Sequence, residues 1–136
     1  MESLEKLSKY FEIVIFTASS LSYANVVVNF LDPEGKYISG ILSRDQCLKT
    51  KNGYYIKDLR IIKNKELRNM IIVDNLVHSF GLQLSNGIPI VTWKNDKKDC
   101  ELKYLTDYLI EAAFVDDTRR YIQRKFFMEE MINFID

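Results

Sequence analysis

The beginning of the chain alternates between helical and strand-like spacing of apolar residues. Residues 2–10 predict a short amphipathic helix, because apolar side chains recur there at helical spacing, at Leu4, Leu7 and Phe11. Residues 12–17 are rich in β-branched side chains and almost all apolar, which predicts a short strand buried on both faces. Ser19 or Ser20 can cap a second helix that runs through Leu31. One side of that helix is apolar, with Tyr23, Val26, Val27 and Phe30.

Residues 36–58 differ in character from the segments around them. A turn at Asp32-Pro33-Glu34-Gly35 leads into them, since proline presets φ and glycine tolerates a positive φ. Short strands are predicted at 37–42 and 54–56, and the turn signal Lys51-Asn52-Gly53 lies between them. We therefore predict a small antiparallel β insertion over 36–58.

Further strands and helices follow the insertion. Residues 70–74 predict a second buried strand, and 88–93 predict a third, in which Pro89 indicates an edge position or the first paired residue. A helix is predicted from Lys98 onward, with its apolar side at Leu102, Leu105, Tyr108, Leu109 and Ala112. A last helix, capped by Asp116 or Asp117, carries Tyr121, Ile122, Phe126 and Met131. Strands that alternate with helices indicate an α/β domain with a mostly parallel sheet.

Composition excludes several classes of protein. The 136 residues carry 19 basic and 19 acidic side chains and are 47% hydrophobic, which fits a single folded domain and argues against disorder. The balanced charge provides no general attraction to nucleic acid or to a membrane surface, and no apolar run reaches the length of a membrane span. The N-terminus does not resemble a signal peptide. Two cysteines, Cys47 and Cys100, fit a reducing compartment, so we expect an intracellular protein.

Polar residues follow two of the predicted strands at the edge where α/β proteins bind ligands. Thr17 and the amides of Ala18 and Ser19 open a helix, an arrangement suited to a phosphate, although Thr17 could equally serve only as a helix cap. Asp74-Asn75 offers two hard oxygen ligands of the kind that Mg²⁺ prefers. The alternative is an Asx turn that ends the strand.

Isolated charged residues add weaker indications. Lys57 could bring an ammonium over a bound phosphate, and Arg44 could form a bidentate contact with a phosphate or carboxylate. Taken alone, each is more simply a solvated surface residue. His78 has no second histidine or cysteine at ligand spacing, so a zinc site is not expected. Together, the threonine, the lysine and the Asp-Asn pair form a set suited to phosphoryl transfer.

A series of short motifs occurs in one order along the chain. It comprises Phe16-Thr17-Ala18-Ser19, Arg44-Asp45-Gln46-Cys47, Tyr55-Ile56-Lys57-Asp58-Leu59, Ile72-Val73-Asp74-Asn75 and Leu84-Ser85-Asn86-Gly87-Ile88-Pro89-Ile90. The series closely resembles the small C-terminal-domain phosphatases, also called NLI-interacting-factor-like phosphatases, of the haloacid dehalogenase superfamily. The last motif most resembles the small-phosphatase-like 2 branch. The resemblance extends from about residue 8 to about residue 122.

The resemblance implies a Mg²⁺-dependent serine/threonine protein phosphatase that acts through an aspartyl-phosphate. In that scheme Thr17 and the Ala18 amide hold phosphate oxygens, and Lys57 neutralises the phosphoryl charge. Asn75 ligates Mg²⁺ with support from Asp74. Arg44, on the insertion that the family uses to hold its peptide, would lie near the phosphopeptide. The implied partner is a phosphoprotein, with no direct binding of nucleic acid or membrane, in the nucleus or cytoplasm. The implied fold is a haloacid-dehalogenase-like Rossmannoid parallel sheet flanked by helices.

Two features depart from the family pattern. The motif D-x-D-x-[TV], which carries the nucleophile and general acid on the first, central strand of the family, does not occur in these 136 residues. Leu76-Val77 stands where the family usually has Ser-Pro. We therefore expect residues 1–136 to form a single phosphatase-like domain that is N-terminally incomplete, inactive as given and weak in Mg²⁺ binding.

The missing strand has a structural consequence, since it would lie between the strands at 13–17 and 70–74. Its loss leaves two edges of unpaired backbone groups, each costing about 1–3 kcal/mol when buried. We expect the edges to pair with each other, to borrow a strand from another copy in a homo-oligomer, or to leave the chain unstable alone. The competing functions are a natural non-catalytic relative that binds phosphopeptides or proteins, and a small-molecule phosphatase, which the peptide-binding insertion disfavours.

Overall fold

A computed structural model describes residues 2–90 and 98–126 of the chain. In these ranges four α-helices are present, α1 (Glu2–Ser8), α2 (Leu21–Leu31), α3 (Lys98–Ala112) and α4 (Thr118–Phe126). The strands in the same ranges are β1 (Ile13–Phe16), β2 (Ile38–Leu42), β3 (Leu48–Lys49), β4 (Tyr55–Ile56), β5 (Ile72–Asp74) and β6 (Gly87–Pro89). Mixed helices and small parallel and antiparallel sheets make this an α/β structure, as the sequence predicts.

The first sheet pairs β1 with β2 in parallel, in the order Val14 with Gly40 through Phe16 with Leu42. Parallel neighbours need a crossover connection, and α2 supplies it. Ser20 is the N-cap of α2, where its hydroxyl accepts a hydrogen bond from the Tyr23 amide at 3.3 Å. The predicted cap and end of this helix are thus confirmed, while the strand predicted at 37–42 pairs in parallel rather than in an antiparallel insertion.

Antiparallel pairing in the described residues is confined to β3 and β4, where Leu48 faces Ile56 and Lys49 faces Tyr55. Gly53 has a φ of 86° in the turn between these strands, a conformation that favours glycine. The antiparallel unit is therefore narrower than the predicted 36–58. The short sequence between Arg44 and Lys57 allows one tight hairpin, whereas β2 finds a longer apolar partner in β1.

The third sheet pairs β5 with β6 in parallel, with Ile72 opposite Gly87 and Asp74 opposite Pro89. Pro89 is the last residue of β6 rather than near the start of a strand, so its position within the strand differs from the prediction. β6 pairs only with β5 among the described strands, which agrees with the edge position predicted from the proline. Residues 91–93 of the predicted strand lie outside the described residues.

The apolar core lies around β5, β6 and the two last helices. One cluster joins Leu59, Ile72 and Phe80, and a second joins Ile88 of β6 to Leu109 of α3 and Ile122 of α4. Both predicted C-terminal helices are confirmed, and the Asp117 side chain accepts a hydrogen bond from the Arg119 amide at 3.0 Å at the start of α4. Met131 lies outside the described residues.

The prediction that the strands at 12–17 and 70–74 are buried on both faces is wrong. Val14 in β1 is 39% exposed and Val73 in β5 is 36% exposed. Each strand belongs to a separate two-stranded sheet in the described part of the chain, so no continuous layer covers both faces. The apolar side of α2 is exposed for the same reason, and only Ala24 of that helix is buried.

No helix in residues 2–90 and 98–126 is both long enough and apolar enough to cross a membrane.

Candidate functional site

The loop that follows β1 is the first part of the candidate site. The Thr17 amide donates to the Leu42 carbonyl at 2.9 Å, so the loop leaves the sheet beside the end of β2. The Thr17 hydroxyl accepts a hydrogen bond from the Ser19 amide at 3.1 Å and lies 2.8 Å from the Ser19 hydroxyl. Ser20 is the helix cap, so Thr17 organises the loop before α2 rather than capping the helix itself. Thr17, Ala18 and Ser19 are referred to below as the phosphate loop, after the role that the sequence predicts for them.

Arg44 lies directly against the phosphate loop. Its Nε donates to the Ala18 carbonyl at 2.8 Å. Its guanidinium carbon is 5.9 Å from the centre of the Tyr55 ring, and Lys49 Nζ lies at the same distance from that ring. Arg44 is exposed, as expected of a surface residue, but its side chain joins the phosphate loop to the β3–β4 hairpin.

Lys57 and Asp74 form a buried ion pair. Lys57 follows β4, Asp74 ends β5, and the Lys57 ammonium contacts Asp74 Oδ2. Lys57 is 9% exposed and Asp74 is 8% exposed. The other Asp74 oxygen accepts a hydrogen bond from the Leu76 amide at 2.9 Å. The interpretation of Lys57 as a solvated lysine is thus wrong, because the structure buries it against the carboxylate that ends β5.

Cys47 connects these parts, and sequence reasoning assigned it no role. Burial raises the pKa of the Cys47 thiol, and the charges of Lys57 and Arg44 oppose that rise while Asp74 adds to it. The thiol also donates to the Thr17 carbonyl at 3.7 Å. Cys47 therefore contacts the phosphate loop and feels the charges of the Lys57–Asp74 ion pair. The only sequence signal was its place at the end of the Arg44–Cys47 motif.

His78 contacts Tyr54, the residue that precedes β4 in the β3–β4 hairpin. The two rings are 4.8 Å apart between centres, and both residues are exposed. His78 lies in the turn Val77–Phe80, whose Ser79 carbonyl accepts from the Lys57 amide at 2.7 Å. His78 is therefore exposed to solvent and also packs against the Tyr54 ring.

The predicted metal ligands, Asp74 and Asn75, lie together at the end of β5. Asn75 is exposed, whereas Asp74 is buried in its ion pair with Lys57. Among the residues that the structure describes, no group of three or more His, Cys, Asp or Glu side chains could hold a metal ion. The donor set nevertheless has the right chemistry for Mg²⁺, which takes one or two protein oxygens and keeps several waters.

Comparison with known proteins gives the class to which this fold and site belong. Residues 1–119 match the sequence model of the NLI interacting factor-like phosphatases. The chain belongs to the NLI interacting factor-like phosphatase family.

Individual relatives agree with this assignment. The chain is 42% identical over 132 residues to CTD small phosphatase-like protein 2 of Dictyostelium discoideum, covering 97% of this chain and 23% of the relative. It is 39% identical to CTD small phosphatase-like protein 3 of Caenorhabditis elegans, covering 96% of this chain and 45% of the relative. It is 33% identical to the human carboxy-terminal domain RNA polymerase II polypeptide A small phosphatase 1, covering 85% of this chain and 43% of the relative. The predicted family and the likeness to the small-phosphatase-like 2 branch are confirmed.

The chain spans less than half the length of these relatives, since it covers 23%, 45% and 43% of them.

Proposed function

We propose that residues 1–136 form the phosphate-recognising part of a protein serine/threonine phosphatase, with a phosphoprotein as its partner. The observation that carries the proposal is the hydrogen bonding of Arg44 and Cys47 to the phosphate loop, together with the buried ion pair of Lys57 and Asp74. A hydroxyl, backbone amides and a lysine are the donors that a phosphate monoester needs. The name of the human relative refers to the carboxy-terminal domain of an RNA polymerase subunit, which supports a phosphoprotein as the kind of partner.

Each residue has a proposed role in holding the phosphate. The Thr17 hydroxyl and the Ala18 amide would hold phosphate oxygens, and the Lys57 ammonium would neutralise phosphoryl charge. To bind a phosphate, the Lys57 ammonium must divide its hydrogen bonds between that phosphate and Asp74 Oδ2, which it contacts directly. A bound phosphate would therefore compete with Asp74 for Lys57.

Mg²⁺ would be held by Asn75 with support from Asp74. When bound, the ion would supply positive charge to the phosphate oxygens. Because Lys57 already neutralises Asp74, the local charge that attracts a divalent cation is small, and we propose that the chain binds Mg²⁺ weakly. We also propose that the parallel pairs β1–β2 and β5–β6 are parts of one haloacid-dehalogenase-like parallel sheet. In that sheet β1 and β5 would be inner strands.

We propose that the chain as given does not hydrolyse phosphate esters. The 136 residues contain no D-x-D-x-[TV] motif, and positioning groups alone do not replace a carboxylate nucleophile. We expect no hydrolysis of p-nitrophenyl phosphate in the presence of Mg²⁺. Hydrolysis that Asn75→Ala abolishes would contradict this expectation, because it would require another nucleophile in the same site.

Binding tests the positive part of the proposal. A phosphoserine peptide added to ¹⁵N-labelled chain should shift the amide resonances of Thr17, Ala18 and Lys57, and the unphosphorylated peptide should not. Lys57→Met should weaken the phosphopeptide response, whereas Lys63→Met, a lysine outside the site, should leave it unchanged. Equal responses to both peptides would overturn phosphate recognition.

A second candidate is a non-catalytic relative that binds phosphopeptides or proteins. The Lys57–Asp74 ion pair favours it, because the carboxylate that ends β5 is occupied within this chain. The two candidates predict different coding sequences upstream of Met1 in the gene. An in-frame strand with D-x-D-x-[TV] upstream of Met1 would support the phosphatase, and its product should hydrolyse the phosphopeptide that this chain only binds.

A further inference from the structure

All three carbonyl oxygens of the phosphate loop accept hydrogen bonds from one short segment, residues 44–47. The Thr17 carbonyl accepts from Cys47 Sγ at 3.7 Å. The Ala18 carbonyl accepts from Arg44 Nε at 2.8 Å. The Ser19 carbonyl accepts from the Arg44 backbone amide at 2.9 Å. Three consecutive peptide groups are therefore held on the same side by two residues of the segment that follows β2.

The planarity of the peptide bond turns these contacts into an orientation of the amides. In a trans peptide the carbonyl and the following N–H point in opposite directions. The bond to the Thr17 carbonyl therefore aims the Ala18 amide away from residues 44–47. The bond to the Ala18 carbonyl aims the Ser19 amide the same way, towards the Thr17 hydroxyl that accepts it at 3.1 Å. Residues 44–47 thus decide which way the donors of the loop face.

Residues 44–47 are themselves fixed by hydrogen bonds, as a segment that orients the loop must be. Gln46 Oε1 accepts from the Ser43 amide at 2.7 Å and from the Ser43 hydroxyl at 3.3 Å. The Cys47 amide closes the turn by donating to the Arg44 carbonyl at 3.0 Å. Ser43 is only 2% exposed, so the start of the turn is anchored in the protein.

We propose that Arg44 is a positioning residue for phosphate binding, and that it acts by holding the Ala18 carbonyl rather than by contacting the phosphate. The inference rests on the proposed function, since it concerns the amides proposed to bind phosphate. The Arg44 Nε is committed to Ala18, and the rest of the guanidinium lies over Tyr55. Arg44 therefore contributes through the geometry of the loop, and its positive charge alone is not sufficient.

The test compares Arg44→Lys with Arg44→Ala in titrations with inorganic phosphate, followed by ¹H–¹⁵N NMR. Lysine keeps the charge but lacks a donor at the position of Nε. We expect both variants to weaken phosphate binding by about three- to tenfold, the effect of losing one hydrogen bond. We also expect the Ala18 amide resonance to move in both variants before any phosphate is added. Lys49→Met is the matched control, because it removes the other cation near Tyr55 without touching the loop.

Three outcomes separate the possibilities. If Arg44→Lys binds phosphate like the unmodified chain while Arg44→Ala does not, Arg44 acts by charge and the inference is overturned. If the Ala18 resonance does not move in either ligand-free variant, the inference is also overturned. If the unmodified chain shows no response to phosphate, the proposed function fails, and the ligand-free Ala18 shift alone then decides whether Arg44 orients the loop. Unchanged resonances of Leu109 and Ile122 in the core check that each variant is folded.

Discussion

At the scale of single residues, the buried ion pair between Lys57 and Asp74 carries the largest energetic consequence. Both residues are nearly inaccessible to solvent, and the carboxylate accepts hydrogen bonds from the Lys57 ammonium and the Leu76 amide. Breaking such a pair by removing one partner leaves an uncompensated buried charge. The same contact that suggests phosphate chemistry is thus also important for stability.

We predict that Lys57→Met lowers the free energy of unfolding by about 3–5 kcal/mol, because Asp74 then remains buried without its cation. Urea unfolding followed by circular dichroism measures the change. Lys36→Met is the matched control, since its ion pair with Glu34 is exposed and should change stability by less than about 1 kcal/mol. A second variant, Lys57→Met with Asp74→Leu, should recover much of the loss. Equal effects of Lys57→Met and Lys36→Met would contradict the prediction.

The lowered pKa of Asp58 predicts that the stability of the fold depends on pH. The side-chain hydrogen bond from Arg60 is the main cause that lowers its pKa to about 2, with further hydrogen bonds from the Arg60 amide and the Gln83 side chain. The pKa of an aspartate in the unfolded chain is about 3.9. The contribution of Asp58 is therefore fully present above about pH 4 and is lost as the pH falls towards about 2.

We expect the free energy of unfolding to fall less between about pH 4 and about pH 2 in Asp58→Asn than in the unmodified chain, because asparagine has no proton to gain there. Urea unfolding at several pH values measures both slopes, and other carboxylates contribute equally to each. Identical slopes would show that the Arg60–Asp58 contact does not persist in solution.

At the scale of elements, the contact between β6 and the turn at Val77–Phe80 leaves no room for a side chain. A Cβ added at Gly87 would fall on the ring of Phe80, which is fully buried. At Gly40, in β2, nothing lies within 4 Å of the added atom. The two glycines are both in strands and neither has a positive φ, so the comparison isolates packing.

We predict that Gly87→Ala destabilises the chain by about 1–3 kcal/mol through overpacking. Gly40→Ala should leave the midpoint of thermal unfolding nearly unchanged, because its new methyl group meets open space. The pair is measured by thermal unfolding under one set of conditions. A smaller effect at Gly87 than at Gly40 would mean that Phe80 does not pack on β6 as described.

The elements also show what the sequence could and could not predict. The ends of β1 and β5, with Thr17 and Asp74, follow from apolar runs that stop at polar residues, which is local information. The ion pair of Lys57 joins residues 17 positions apart, and the contact of Cys47 with Thr17 joins residues 30 positions apart. Such contacts depend on how whole elements pack. The exposure of α2 has the same origin, because helical spacing identifies an apolar side without identifying what covers it.

At the scale of the whole molecule, packing is unequal between the two ends of the chain. All but one of the buried apolar residues described after residue 58 belong to two clusters, whereas Ala24 is the only one described before it. β1 pairs only with β2 and β5 only with β6 among the described strands, so one edge of each lacks a described strand partner. The expectation that the two edges pair with each other is not met in this part of the chain.

We predict that the chain associates through these strand edges, so that its apparent mass rises with concentration above the 16.0 kDa of one copy. Size-exclusion chromatography with light scattering measures the mass, and hydrogen exchange measures protection of β1 and β5. Amides of Ile13–Phe16 should exchange faster at low concentration than those of Ile72–Asp74, since less apolar packing covers them. A stable 16.0 kDa monomer that protects both strands equally would exclude strand borrowing.

Arg44 Cζ and Lys49 Nζ each lie 5.9 Å from the centre of the Tyr55 ring. Tyr55 is therefore an intrinsic absorbance probe of this part of the chain. Positive charge close to a phenol ring perturbs its near-ultraviolet absorption. A ligand whose binding displaces either side chain would change that perturbation, and the change would appear in a difference spectrum without any added dye. Ligands for this end of the molecule can therefore be screened by absorbance alone, with Tyr55→Phe as the blank that identifies the signal.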